Sequence, residues 1–312
     1  MPDQMRTVRF HDYGEPADVL TLENAPIPEP GPGRIRVAVH AAGLAPADWA
    51  LCRGLFAGNL PRGIGCDVSG TVTSIGDGVT GVALGDVVFG TTDWANSSSA
   101  GASDEAIMNR WFAVPDGLDL VQAAALPMTV DTAFHHLNWL GFDPGATILI
   151  HGAGSTIGFA AVQIALLRGM RVIATAGDTY AQQLRDFGAL VTPYGDGLVE
   201  RVFELTDGRP VDLAFDTSPV GGALPDLLRL AGGDPQHVLT ASDFAGAAEL
   251  GVRATFSEDL TNRPEPLPEF AQLAADAKFV VPIAGTFALD KWQTALAISL
   301  SGKARGKLML LP

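Results

Sequence analysis

The hydrophobic pattern of this chain changes character along its length. Up to Asp119, short runs with β-branched or alternating apolar residues predict strands at Val8-Arg9-Phe10, Arg34 to Val39, Val68 to Ile75 and Gly85 to Gly90. Pro26, Pro28, Pro30, Gly31, Pro32 and Gly33 punctuate them, as do Gly76-Asp77-Gly78 and Gly81, and the polar stretch Asn96 to Gly101 predicts a surface loop. Beyond Asp119 the period lengthens. Val121 to Pro127 and Thr132 to Leu137 read as helical, and strands then alternate with helices. The predicted strands are Thr147 to Ile150, Arg171 to Thr175, Val211 to Thr217 and His237 to Thr240, with Val191 to Tyr194 a strand or loop. The predicted helices are Phe159 to Leu167, Tyr180 to Phe187, Val199 to Thr206 and Leu224 to Leu230. Such alternation implies a doubly wound parallel sheet. Proline-rich Arg263 to Pro268 precedes a helix over Glu269 to Ala277. The tail then returns to a strand at Val280 to Pro282, a helix at Lys291 to Leu300 and a strand at Gly306 to Leu310.

The stretch from Thr147 to Thr175 has the length of a right-handed strand-helix-strand crossover. Between its first strand and its helix lies His151-Gly152-Ala153-Gly154-Ser155-Thr156-Ile157-Gly158. Glycine lets a backbone approach a pyrophosphate, and the amides and dipole of the following helix hold its negative charge. The spacing is G-x-G-x-x-x-G, not G-x-G-x-x-G, so two readings stand: a dinucleotide-binding turn, or a packing turn of an ordinary parallel sheet.

Composition narrows the classes. At 312 residues, with 47% hydrophobic and 18% charged residues, the chain is expected to be soluble and to form two domains. No window reaches the roughly 18 apolar residues of a membrane span. Met1 to Phe10 has no apolar run, so no secretory signal is read there and the cytoplasm is the expected location. A net charge of −15 argues against nucleic acid and anionic membranes as partners. With only Cys52 and Cys66, neither a disulfide framework nor a multi-cysteine metal knuckle is available.

Several separated motifs together resemble one family over almost the whole chain. They are Pro26-Ile27-Pro28-Glu29-Pro30-Gly31-Pro32-Gly33 with Ile35-Arg36-Val37, Ala42 to Trp49, Gly65 to Val72, Val82 to Val88, the glycine turn, and the closing Ser301 to Lys307. In order and spacing these are similar to the zinc-independent medium-chain dehydrogenase/reductases, in the quinone oxidoreductase-like branch. The resemblance implies an α/β fold: a chaperonin-10-like β domain plus a Rossmann doubly wound parallel-sheet domain. The expected boundaries are residues 1–122 for the catalytic domain, 123–277 for the nucleotide-binding domain, and 278–312 for a segment returning to the first.

Zinc-dependent relatives carry a cysteine, a His-Glu pair and a further cysteine at positions that match Ala45, Cys66-Asp67 and the neighbourhood of Met128. One cysteine and a carboxylate fall short of the three protein ligands of catalytic zinc, so no metal is expected and Cys66 reads as a small core residue. The resemblance implies pyrophosphate contacts from Gly152, Ala153, Gly154, Ser155, Thr156, Ile157 and Gly158. Ser155 and Thr156 replace the usual double glycine, so their hydroxyls either donate to phosphate or crowd it. It further implies cofactor contacts from Thr132, Thr175, Gly177, Tyr194, Thr217, Ser218, Ala241, Ser242 and Lys307. Ala176 stands where an NAD site wants a carboxylate for the ribose diol. NADP(H) is therefore favoured, although Ala181 replaces the lysine that often pairs with the 2′-phosphate, Asp178 would repel it, and NAD(H) stays open.

Asp48 and Trp49 are the substrate-pocket candidates. Ala50 replaces a tyrosine that some relatives present, so no catalytic acid or base is assigned. Adjacent His135 and His136 point apart on a helix and read as one packed and one solvated histidine. His40 reads as a structural strand residue, and His151 as a strand-end cap. The implied activity is hydride transfer from NADPH to a quinone or α,β-unsaturated carbonyl compound, with a small-molecule substrate and a homodimeric assembly. Two alternatives remain: a dinucleotide-binding sensor or partner module without turnover, and zinc-free alcohol dehydrogenation.

Overall fold

Alternating apolar and polar positions become strands in the first part of the chain. The computed structural model describes residues 3–141, 143–255 and 265–312. Strand β1 (Gln4–Phe10) pairs antiparallel with β2 (Leu20–Pro26), which a short helix α1 (Pro16–Val19) precedes. Next come β3 (Ile35–Leu44), helix α2 (Pro46–Cys52), the two-residue β4 (Arg62–Gly63) against β1, then β5 (Asp67–Ile75), β6 (Val87–Thr92) and β7 (Glu105–Ala113). β3 pairs antiparallel with both β5 and β7, while β6 joins β5 to β7, so the four strands close on themselves. Closure removes sheet edges. It also buries Ile35, Val37, Val68, Val72, Val88, Ala106 and Met108 inside.

Three expectations change here. The end of the polar stretch 96–101 is not at the surface: Ser99, Ala100 and Gly101 are buried. Gly63 and Gly65 let that segment lie directly on them, since a Cβ on Gly63 would sit 2.3 Å from the Ala100 nitrogen. The two helical stretches before the glycine turn form one 21-residue helix, α3 (Leu120–Leu140), which runs through Pro127. Proline breaks the helical hydrogen-bond ladder, and the next amide, Met128, donates to Asp67 Oδ1 at 3.1 Å. Finally, His135 and His136 are both buried.

By contacts the chain divides into two units, Met1–Met128 with Leu267–Pro312, and Thr129–Pro266. The second unit holds β8 (Thr147–His151), α4 (Thr156–Leu167), β9 (Arg171–Thr175), α5 (Asp178–Phe187), β10 (Leu190–Thr192), α6 (Leu198–Leu205), β11 (Leu213–Asp216), α7 (Leu224–Leu230), β12 (Val238–Thr240), α8 (Phe244–Leu250) and β13 (Arg253–Ala254). All pairings in its six-stranded sheet are parallel, in the order β10-β9-β8-β11-β12-β13. That is the 3-2-1-4-5-6 order of dinucleotide-binding sheets, and the direction reverses between β8 and β11. α4 is apolar all round and buried from Gly158 to Ala165, whereas α5 buries only Leu184.

The chain then re-enters the first unit with α9 (Leu267–Ala275), β14 (Ile283–Ala288), α10 (Trp292–Leu300) and β15 (Lys307–Leu311). Arg263 and Pro264 of the expected proline-rich stretch lie outside the described residues. The strand expected at Val280 to Pro282 instead begins at Ile283, just past Pro282, which brings no amide to a ladder. The Pro282 carbonyl still accepts from the Lys307 amide at 2.7 Å. β15 pairs antiparallel with β3, setting Met309 opposite Gly43. Among the described residues, no helix is long and apolar enough to cross a membrane.

Candidate dinucleotide site and the buried charge cluster

The three glycines after β8 are unlike one another. Gly152 has φ +75, and a Cβ there would sit 2.6 Å from the Ser218 nitrogen. Its amide donates to Thr175 Oγ1 at 3.0 Å, and the Ala153 amide donates to the Thr175 carbonyl at 2.9 Å. Gly158 is closed in: a Cβ would lie 2.4 Å from Thr217 Oγ1 and 2.6 Å from the Gly152 carbonyl oxygen. Gly154 has nothing within 4 Å of its missing Cβ. One glycine makes the turn, one leaves the backbone open, and one lets helix and strands pack closely, the three tasks that a dinucleotide-binding turn requires.

Ser155 caps α4, with its Oγ accepting from the Gly158 amide at 3.0 Å and donating to Thr217 Oγ1 at 3.2 Å. Its hydroxyl is thus directed at the helix end and β11, not at the open face of the turn. Thr156 and Ile157 are half-buried in the first turn of α4, which contains no acidic residue. The residues present therefore fit a pyrophosphate at this helix N-terminus.

The strand ends around the turn carry the other expected residues in two groups. Thr217, Ser218, Ala241 and Ser242 come together at the ends of β11 and β12. Ser242 Oγ donates to the Ser218 carbonyl, and the Ala241 amide donates to the Asp216 carbonyl at 2.9 Å. On the other side, Tyr194 reaches Gly177, with its Cε1 and hydroxyl 3.7 Å from where a Gly177 Cβ would be. Thr132 lies on α3, one turn before His136. His136 joins its carbonyl to Thr255 Oγ1, at 2.5 and 2.6 Å, and stacks on Phe215 at 5.5 Å.

His151 and Asp216 are paired across the β8/β11 reversal. Thr175 Oγ1 bonds to His151 Nδ1 at 2.9 Å, while Asp216 accepts from Thr240 Oγ1 at 2.9 Å and the Ser218 amide at 3.1 Å. Burial lowers the His151 pKa and raises that of Asp216, each against the pull of the other's charge. Both shifts favour neutral forms.

Sequence reasoning missed Arg201. Its guanidinium bonds Thr192 Oγ1 at 3.1 Å and the carbonyls of Pro193, Gly195 and Asp196 at 2.9, 3.4 and 2.7 Å, shaping the loop that displays Tyr194. A loop held through backbone carbonyls leaves no motif to read.

In the first unit, Asp48 and Trp49 belong to the interior. Asp48 accepts from the Ala45 and Gly65 amides, each at 2.7 Å, and from the Cys66 thiol at 3.7 Å. Burial pushes its pKa up to about 6, against the pull of those amides. Trp49 is 3% exposed and donates from Nε1 to Ser299 Oγ at 2.7 Å. The Lys307 ammonium bonds Asp67 Oδ2 at 2.6 Å, with side-chain exposures of 4% and 1%. Gly43 makes room for it, because a Cβ there would be 2.6 Å from Lys307 Cε. Burial raises both thiol pKa values, that of Cys52 to about 12, so neither cysteine is a thiolate nucleophile at neutral pH. Among the described residues, no group of three His, Cys, Asp or Glu side chains could hold a metal ion.

Residues 31–124 match the alcohol dehydrogenase GroES-like domain, and residues 156–273 match the zinc-binding dehydrogenase domain. The chain belongs to the medium-chain dehydrogenase/reductases, a family of nicotinamide-dependent oxidoreductases, in the quinone oxidoreductase-like branch. The quinone oxidoreductase structure from Coxiella burnetii superposes with a TM-score of 0.82 at 27% identity, covering 99% of this chain and 100% of that one. The 2-methylene-furan-3-one reductase of Solanum lycopersicum is 26% identical over 100% of this chain and 80% of its own. The quinone oxidoreductase of Rattus norvegicus is 31% identical over 58% of this chain and 55% of its own. Other relatives are far longer: the match spans 15% of the phthioceranic/hydroxyphthioceranic acid synthase of Mycobacterium tuberculosis.

Proposed function

We propose that the chain is a zinc-independent, NADPH-dependent reductase of quinones or α,β-unsaturated carbonyl compounds. The observation that carries this reading is the division of tasks among Gly152, Gly154 and Gly158 at the start of α4. In this reading residues 123–277 bind the dinucleotide, and residues 1–122 with 278–312 form the catalytic part. The bound reduced nicotinamide would supply the hydride; the acceptor takes it up with one proton from solvent, and the cofactor leaves oxidised.

The pyrophosphate would lie along Gly152 to Gly158, the adenosine end near Thr175, Gly177 and Tyr194, and the nicotinamide end near Thr132, Thr217, Ser218, Ala241 and Ser242. Ala176 supports NADPH by withholding a ribose-binding carboxylate. Arg201 supports it too, because its hydrogen-bond partners among the described residues are all neutral oxygens and its charge stays available beside the Tyr194 loop. Asp178, exposed in the first turn of α5, opposes it. Independence from zinc is supported by Ala45 at one ligand position and by the Lys307 ammonium on Asp67 at another. Lys307 would then act on the cofactor only from within that ion pair.

Anaerobic stopped-flow of the purified protein with NADPH and NADH, against a panel of quinones and enones, tests the reading. Saturable NADPH oxidation by one acceptor class is the expected result. Nicotinamide binding with no acceptor reduced would favour the sensor reading instead. Faster turnover with an alcohol and NADP⁺ would favour alcohol oxidation. Absence of binding by either cofactor would remove the basis of the assignment. Sedimentation equilibrium at twice the chain mass is expected for the homodimer.

A further inference from the structure

Arg62 is a buried cation whose charge the fold leaves unanswered. It is 2% exposed, yet no carboxylate pairs with it among the described residues, and its Nε has no hydrogen-bond partner. Its guanidinium makes one hydrogen bond, from Nη1 to the Phe56 carbonyl at 2.7 Å, and lies over the face of Trp94, with 5.4 Å from the guanidinium carbon to the ring. Stripping water from a guanidinium is costly, and buried arginines normally recover that cost from an anion. A second orphan, Ser99 Oγ, is buried on the segment that packs against Gly63, where a Cβ would be 2.9 Å from the Ser99 Cα.

The surroundings indicate what kind of ligand would answer the charge. Phe56 and Trp94 present aromatic rings 6.0 Å apart, and Leu55 and Phe56 are 42% and 52% exposed. The covering loop is tied down by polar contacts: the Tyr13 hydroxyl donates to the Gly58 carbonyl at 2.9 Å and accepts from its amide at 2.7 Å. Phe56 itself sits at φ +54, a strained backbone for a residue with a side chain. An entering anion would give the guanidinium the charged partner that the neutral Phe56 carbonyl is not. Because the chain carries −15, anions are repelled at long range, so a specific counter-charge is needed to admit one.

We propose that Arg62 is a specificity-determining residue that binds the acidic group, a carboxylate or sulfonate, of a planar conjugated acceptor whose ring system lies with Phe56 and Trp94. The proposal rests on the reductase reading for what happens to that acceptor, but the binding event does not depend on turnover. Its test therefore has two arms.

In the first arm, titration calorimetry compares non-reducible 2-naphthalenesulfonate with neutral 2-naphthol on the wild-type protein, Arg62→Gln and Arg62→Lys. The wild type should bind the sulfonate about 10- to 100-fold more tightly than Arg62→Gln does. Arg62→Lys should recover part of the loss, and 2-naphthol should discriminate little among the three. In the second arm, the wild type with NADPH should show a KM for 1,2-naphthoquinone-4-sulfonate about tenfold below that for 1,2-naphthoquinone. This comparison needs no variant and stands even if Arg62→Gln does not fold. Equal sulfonate affinity in wild type and Arg62→Gln, or no preference of the wild type for the sulfonated compound in either arm, overturns the proposal and leaves the reductase reading intact. Arg62-dependent sulfonate binding with no quinone reduced sustains the proposal while overturning the reductase reading.

Discussion

Two polar regions of this molecule handle their backbone and charges in opposite ways. In the first unit, Lys307 meets Asp67 at 2.6 Å and Asp48 meets two amides at 2.7 Å, all in the interior. These charges are answered from within and hold loops together. In the second unit, the turn after β8 is braced from behind by Thr175, Thr217 and Ser218, yet its backbone at Gly154 faces open space. Polar residues thus serve a staple in one unit and a cradle in the other. The difference is whether the hydrogen-bonding capacity is consumed by the protein or left for a ligand. Arg62 is the exception in the first unit, and it stands out for that reason.

The comparison is broken most forcefully at the staple. Lys307→Met leaves the buried Asp67 carboxylate without its ammonium and should cost about 3–5 kcal/mol in urea unfolding. Adding Asp67→Leu should restore part of that loss, since it removes the uncompensated carboxylate but leaves the Met128 amide without its acceptor. A double variant as unstable as the single one would mean that the charge pair is not the cause.

Asp48→Asn should cost about 2 kcal/mol at pH 7, by disturbing bonds to the Ala45 and Gly65 amides. Its pH dependence follows from burial, which raises the folded pKa to about 6 above the ordinary value of 3.8. A raised carboxyl contributes stability fully present below its unfolded pKa and lost as pH rises through the folded one. The wild type therefore loses an increment between pH 4 and 6 that the variant cannot lose, and the gap between them should be wider at pH 4 than at pH 7. Parallel unfolding curves at both pH values measure it.

Smaller effects belong to the cradle. Ser155→Ala removes the cap of α4 and should cost about 1 kcal/mol in the same unfolding assay. If the Ser155 hydroxyl served phosphate instead, the loss would appear in cofactor affinity with stability unchanged. Gly154→Ala should change stability by no more than about 0.5 kcal/mol, because its side chain meets open space. It should nevertheless weaken NADPH binding about tenfold by fluorescence titration, if the backbone there approaches the pyrophosphate. Unaltered affinity would return the turn to the packing reading.

Much of the architecture was legible before any coordinates. Alternation announced the β-rich start, and Thr147 to Thr175 announced its strand-helix-strand unit, because periodicity is a local property that burial imposes residue by residue. The glycine turn was legible as a candidate site, because glycines between a strand and a helix mark a backbone that a pyrophosphate can approach. Other features were hidden because their causes lie far apart in sequence. Ser99 is polar and reads as surface, but Gly63 of β4 lies directly against it. Pro127 reads as a helix end, but Asp67 takes the amide that follows it.

By itself, then, the sequence determined the alternation of elements, the order of the glycines and the residues that align with the dehydrogenase family. Tertiary structure decided what each polar group does. Asp48 and Trp49, read as substrate-pocket candidates, bond to Ala45, Gly65 and Ser299, while Lys307 meets an aspartate 240 positions away. The physical reason is that a buried donor or acceptor must find a partner wherever the fold supplies one, and long-range pairing by β15 against β3 leaves no periodic trace in the chain.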